Sequence, residues 1–126
     1  MNYLATSINE SPVIVGTAAE AIEDVRGRAV KFDENGTIVL AGTGDAPLGI
    51  GIMTSGDQGA IAAGEEFTIQ FKAIGLVYAG GAIKLGAGLA VGANGAFTEA
   101  GDGTAIATAL EAAAAEGQYI KAILKF

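Results

Sequence analysis

The 126-residue sequence contains no cysteine, no histidine and no tryptophan. Without cysteine there is no disulfide, no thiolate metal site and no thiol nucleophile. Without histidine, the commonest general base and the commonest transition-metal ligand are both missing. Long apolar runs are missing too. No window reaches the ~18 consecutive apolar residues of a membrane-spanning helix. The opening "MNYLATSINESPVIVG" lacks the positive n-region and apolar core of a secretory signal, so the expectation is synthesis and retention in a cytoplasm until assembly or lysis carries the protein out. Bases are scarce, 7 against 14 acids, for a formal charge of −7. Such a surface repels nucleic acid, and no run of Lys or Arg offsets it.

What the chain has is glycine (20 residues) and small apolar side chains, within a hydrophobic content of 51% and only 6% aromatics. One domain of this size buries roughly 65–70% of the surface its unfolded chain exposes, enough to fold without staples. The charge is uneven. Residues 1–66 hold ten acids and three bases, and residues 67–126 hold four of each. A neutral, apolar-rich second half suits a surface that packs against something, and it suits buried core equally well.

Along the chain, residues 1–11 have no helical or strand period and read as an arm, ordered only if it docks. A β-branched run at 12–16 predicts a first strand, and residues 17–27 a loop with at most one helical turn. From Arg28 onward the pattern is strands and turns. "RAVKFD" and "TIVLA" flank Asn35-Gly36, a hairpin signal because a tight hairpin turn needs positive φ at successive positions. "PLGIGIMT" alternates Leu48, Ile50 and Ile52 with Gly49 and Gly51, and glycine inside a strand marks a bulge or a close backbone approach. Further strands are expected in "EEFTIQFKA", "GLVYA", "AIKLG", "LAVGANGAFTEA", "TAIATAL" and "QYIKAILKF", with "LEAAAAEGQ" as a loop or single turn. About nine or ten short strands with turns every 8–12 residues define an all-β fold, a small β-barrel or β-sandwich, over residues 12–126.

The chain also repeats itself. Asn35-Gly36 and Asn94-Gly95 are 59 positions apart, as are Ala41-Gly42 and Ala100-Gly101. Leu48 and Ile52 fall on Ile106 and Leu110, and Gly64, Phe67, Ile69 and Phe71 on Gly117, Ile120, Ala122 and Leu124. We read an internal duplication of one β unit, residues 28–73 and 87–126. Two such units pairing edge to edge would close a small barrel.

Chemistry is harder to find. "GTGDAPLG" lacks the spacing of a phosphate-binding loop and is not followed by a helix pattern. "DENG" lacks the rest of a calcium loop. Asp45 and Asp102, in the repeated turns, could touch a cation, but Asp at such positions more often caps its own turn. The acid pairs Glu23-Asp24, Asp33-Glu34 and Glu65-Glu66 point to opposite faces if on strands, so they do not converge. Ser7, Ser11 and Ser55 have no histidine to activate them. The reading is not an enzyme, with no cofactor and no metal.

Three stretches, "GRAVKFDENGTIVLAG", "PLGIGIMTSGDQGAIAAGEEFTIQFKAIGLVYA" and "IATALEAAAAEGQYIKAILKF", give the chain a resemblance to the capsid decoration (cement) proteins of tailed bacteriophages. It covers roughly residues 12–126 and is a pattern of turns and strands. "PLGIGIM" departs from the commoner alanine-containing strand. The resemblance implies a β-rich homotrimer on the outer surface of the virion capsid, bound to the major capsid protein and bracing the shell against packaged DNA. The alternative is a carbohydrate- or host-surface-binding β module of a virion fibre or tail accessory protein. That module would need an exposed aromatic platform, whereas Phe32, Phe67, Phe71 and Phe97 read as core and Phe126 is terminal. Within the arm, Tyr3, Leu4 and Ile8 are the candidate contacts with the capsid or a neighbour. Deleting residues 1–11 is expected to leave the thermal melt unchanged and to weaken co-sedimentation with phage heads; full binding by the truncated protein would refute the arm's role.

Overall fold

In β-structure successive side chains face opposite ways, so a strand buried on one side must alternate. "YIKAIL" and "EFTIQ" do so: Ile120, Ala122 and Leu124 are buried between exposed neighbours, and Phe67 and Ile69 are buried while Thr68 and Gln70 are only half-buried. The computed structural model describes residues 12–52 and 59–126. It holds ten strands: β1 (Val13–Thr17), β2 (Ala29–Phe32), β3 (Ile38–Leu40), β4 (Gly49–Gly51), β5 (Glu66–Gln70), β6 (Ala73–Tyr78), β7 (Gly88–Val91), β8 (Phe97–Glu99), β9 (Ala107–Ala109) and β10 (Tyr119–Leu124). A single 3-10 turn, Ala93–Gly95, is the one helical element among the described residues. No helix among them is long and apolar enough to cross a membrane.

The strands form two five-stranded antiparallel sheets, ordered β1-β5-β4-β2-β3 and β6-β10-β9-β7-β8. The second order is the first moved on by five strands. Register repeats as well. Val30 faces Leu40 and Phe32 faces Ile38, while Leu89 faces Glu99 and Val91 faces Phe97. Ile50 faces Gln70 as Thr108 faces Ile123, and Val13 faces Gln70 as Ile74 faces Ile123. Connections follow suit. The Leu48 N–H donates to the Val30 carbonyl, and the Ile106 N–H to Leu89, both at 2.8 Å. Gly64 donates to Ala18 at 2.8 Å, and Gly117 to Ala79 at 2.9 Å. The correspondence takes in β1 and β6, so in the fold each unit begins one strand before residues 28 and 87.

The two sheets make a sandwich and not a closed barrel. Instead of pairing edge to edge, each sheet curls on itself, the end of its first strand meeting its third strand at one parallel bridge, Ala18 with Ile38 and Ala79 with Phe97. Each curl wraps its own core. Ile22, Val25, Val30, Ile38, Phe67 and Ile69 fill the first. Val77, Leu89, Val91, Phe97, Ile120 and Leu124 fill the second, joined by Ala29 and Ile50 from the first sheet and by Ala41 just past β3. Burial of Phe67 and of Phe97 stabilises the fold by roughly 1.5–3 kcal/mol each.

Several local expectations change. "AIKLG" is a turn held by one bridge from Ile83 to Ala113, with no strand. Residues 17–27 form the expected loop, without a helical turn, tied by bridges at Ala18, Ile22 and Arg26. Leu48 packs with the first core while Ile50 and Ile52 pack with the second, because β4 starts only after Leu48. Phe32 is 53% exposed, not core, and Phe71 is half-buried. Of the Asn-Gly pairs, only Asn94-Gly95 has positive φ at both residues, 56° and 75°. At the first pair Gly36 alone does (81°), because the Asp33 carboxylate accepts from the N–H groups of Asn35 and Thr37 and from the Thr37 hydroxyl, fixing the turn from within.

The glycines of β4 sit under neighbouring backbone. A Cβ on Gly51 would lie 2.5 Å from the Val25 carbonyl oxygen, and one on Gly49 2.5 Å from that of Gln70. Around Gly81 there is nothing within 4 Å. Gly51→Ala is therefore expected to lower stability by about 1–3 kcal/mol in urea titration. Gly81→Ala, with room and no forced φ, should change it by less than about 1 kcal/mol, in the stabilising direction.

Candidate functional site: the outward face of β6 and β10

β6 and β10 pair in full, setting Tyr119 opposite Tyr78, Lys121 opposite Leu76 and Ile123 opposite Ile74. The residues between them, Gly75, Val77, Ile120 and Ala122, point inward. The six outward side chains form a continuous patch: Ile74 is 57% exposed, Leu76 54%, and Tyr119 and Ile123 39% each. Lys121, fully outward, is the one charged group among them. The Tyr78 and Tyr119 rings meet edge to face, centroids 5.5 Å apart, so they offer no flat platform for a sugar ring.

The first sheet supplies a control. By register, β1 and β5 correspond to β6 and β10, and their outward positions carry Val13, Val15, Thr17, Glu66, Thr68 and Gln70. Thus Glu66, Thr68 and Gln70 stand where the second copy has Tyr119, Lys121 and Ile123. The shared fold demands neither set. The copies differ in polarity along β5 and β10, whereas β1, like β6, presents apolar side chains, Val15 being 63% exposed.

Beside this face, at the seam between the sheets, lies a groove of about 420 Å³ lined by Arg26, Gly51, Ile52 and Gln70 on one side and Ile74, Leu76 and Tyr119 on the other. Its charges are held. The Arg26 guanidinium grips Asp24 through Nε (2.9 Å) and Nη2 (2.7 Å), while the Arg26 backbone N–H donates to the same carboxylate at 3.0 Å. This pairing keeps the Asp24 carboxyl below the usual carboxylate range. Partial burial, then the negative Asp24 nearby, raise the Tyr119 phenol. Gln70 Nε2 donates to the carbonyls of Lys72 (2.8 Å) and Ile74 (3.0 Å), bracing the passage between sheets where Ala73 takes a positive φ of 71°. Arg28 stacks 4.0 Å over the Tyr78 ring and donates to the Asn94 carbonyl at 3.0 Å; its buried Nε has no partner among the described residues. An apolar face flanked by the Arg26–Asp24 pair and by Arg28 stacked on Tyr78 is suited to docking.

Among the described residues, no three acids lie close enough to share a metal ion. Asp45 caps its own turn, accepting from the Gly42 N–H at 2.8 Å, and pairs with Lys31 Nζ at 2.8 Å. Tyr3, Leu4 and Ile8 lie outside the described residues. The arm's root does not: the Phe71 N–H donates to the Pro12 carbonyl at 3.0 Å, which sets residue 12 beside the passage leading to Ile74. Sequence reasoning passed over Ile74, Leu76, Tyr119 and Ile123. The signal that could have found them was the repeat itself, read for where its copies differ in polarity.

No protein-family model matches the chain, and no curated protein matches it in sequence. Among solved structures it is similar to the head fiber gp8.5 N base in bacteriophage phi29, with a TM-score of 0.68 and 22% identity, covering 89% of this chain and 92% of that one. The likeness is one of fold.

The carboxylates give a test in pH. Asp24 is held low by Arg26, Asp33 by the Thr37 hydroxyl and neighbouring N–H groups, and Asp45 by Lys31 and the Gly42 N–H. Each folded pKa lies below its unfolded value, so the stabilisation is full above the ordinary value of about 4 and is lost as pH falls through the folded values. With no histidine to titrate, urea midpoints are expected to stay level between about pH 5 and 8 and to drop in acid. Asp45→Asn should flatten part of that acid limb; an unchanged limb would show that the Lys31 pair does not stabilise the fold.

Proposed function

We propose that this protein is a structural component of a bacteriophage virion. It binds the outer surface of the assembled head through the major capsid protein and stabilises the shell against internal DNA pressure. The observation that carries this reading is the likeness of fold, along nearly the whole of both chains, to a protein described as a head fiber base. The apolar face of β6 and β10 supports it by offering a docking surface that carries Tyr119 and Ile123 where β5 of the first copy carries Glu66 and Gln70. In this reading the chain is a homotrimer and carries out no catalysis. Each subunit makes modest contacts with more than one shell protein, and simultaneous engagement multiplies them.

A second reading is favoured by the same comparison: the chain is a fibre module whose part is to mount or present a fibre, without strengthening the shell. The two separate in one experiment. Purified protein is mixed with empty phage heads, sedimented, and the loaded heads are challenged with heat and low salt. Saturation at a fixed number of copies per head together with greater head survival is expected for decoration. Saturation with unchanged survival would turn the assignment to the fibre module. Absence of binding to any head, from well-folded protein, would overturn both. Leu76→Ser, at an exposed position, should leave stability within about 0.5 kcal/mol while reducing head binding.

A further inference from the structure

The contact between the two copies inside the chain is one-sided. From the second copy come Tyr78, Val91 and the Asn94-Gly95 turn; from the first come Gly27, Arg28, Ala29 and Gly44. The Tyr78 N–H donates to the Gly27 carbonyl at 2.9 Å and the Gly44 N–H to that of Val91 at 3.1 Å. Arg28 donates to Asn94 at 3.0 Å. Gly95 lies so close to β2 that a Cβ on it would be 2.6 Å from the Ala29 carbonyl oxygen.

Among the described residues the reciprocal contacts are not made. Gly36 is the register counterpart of Gly95 and Gly86 that of Gly27, yet among the described residues a Cβ on either would meet nothing within 4 Å. A two-fold relation would have used each surface twice. This one is head to tail, and a head-to-tail contact leaves one spare surface of each kind at the ends of the pair.

Both spare surfaces are exposed, and each sets a large apolar side chain among polar neighbours. At one end is the Asn35-Gly36 turn with Phe32, 53% exposed where its counterpart Val91 is 3% exposed. At the other are Gly86, Ala87 and Gly88, counterparts of Gly27, Arg28 and Ala29. They line an open groove of about 390 Å³ together with Leu85, which is 70% exposed, and with Lys84 and Glu99, whose carboxylate accepts from the Lys84 backbone N–H at 2.8 Å. In the first copy the corresponding place is filled by the second copy's turn.

We propose that a second copy of this chain fills that groove: the Asn35-Gly36 turn and Phe32 of one molecule seat on Gly86–Gly88 and Leu85 of the next, repeating between chains the contact already made within each. The interface is heterologous, so successive copies add in one direction and close into a ring if the rotation permits. It does not depend on which virion reading above is correct.

The test uses the full chain, Phe32→Glu, Leu85→Glu and sedimentation velocity. Both residues are exposed, and thermal melts matching the wild type would show both variants folded. The wild type is expected to sediment as an oligomer and each variant as a 12.5 kDa monomer. An equal mixture of the two should yield a species of twice that mass, because each variant retains the surface the other lacks. Three results would each overturn the proposal: a monomeric wild type at its highest soluble concentration, variants that keep the wild-type mass, or a mixture that stays monomeric.

Discussion

Where the Asn94-Gly95 turn meets β2, two backbones lie closer than any side chain at Gly95 would permit. This close approach fixes much else in the molecule. It lets Ala29 and Ile50, on the outer face of the first sheet, enter the second core, so the halves share apolar burial instead of merely touching. It also brings the Gly27 carbonyl to the Tyr78 N–H and Arg28 over the Tyr78 ring. A larger residue at Gly95 would open the seam, and hydrogen bonds tolerate only a few tenths of an ångström before they weaken.

The two copies keep the same scaffold with different side chains. What they hold in common is backbone: positive φ at Gly27 and Gly86, Gly36 and Gly95, Gly64 and Gly117. What they change is the outward set. Thr68 and Gln70 against Lys121 and Ile123 leave the ladders untouched, since register is set by the buried alternation and the turns. One copy could therefore acquire an apolar docking face without disturbing either core. The charge follows the same division, because the first half carries the net negative charge and the second is neutral.

The fold was largely legible in the sequence because its signals are local. Gly64 and Gly117 announce turns, "YIKAIL" announces alternation, and offsets of 59, 58 and 53 positions announce the repeat. What stayed hidden was non-local. That each sheet curls on itself depends on Ala18 reaching Ile38 across the unit, which no local pattern states. Phe32 looked like core because its strand alternates, yet it is 53% exposed, since no other described element covers that end of β2. The face of β6 and β10 was obscured for a related reason: Ile74, Leu76 and Ile123 carry the same letters as core residues, and only the pairing of two strands shows that they look outward.

Where the Asn94-Gly95 turn meets β2, the seam brings backbone, glycine and alanine together, and this bears on how such a protein would assemble. Ordering a long side chain at an interface opposes association by about 0.5–1.5 kcal/mol, whereas glycine and alanine have almost no side-chain freedom to lose. At Gly86, Ala87 and Gly88 the backbone is already set by the pairing of β7 with β9 and by the turn that ends at Ala87. Contact there needs little rearrangement, and its strength would come from fit and from repetition rather than from one large anchor. A chain with 6% aromatics and no tryptophan has few residues able to serve as such an anchor. Its composition and its exposed seats favour the same solution, many small contacts made by rigid surfaces in several copies at once.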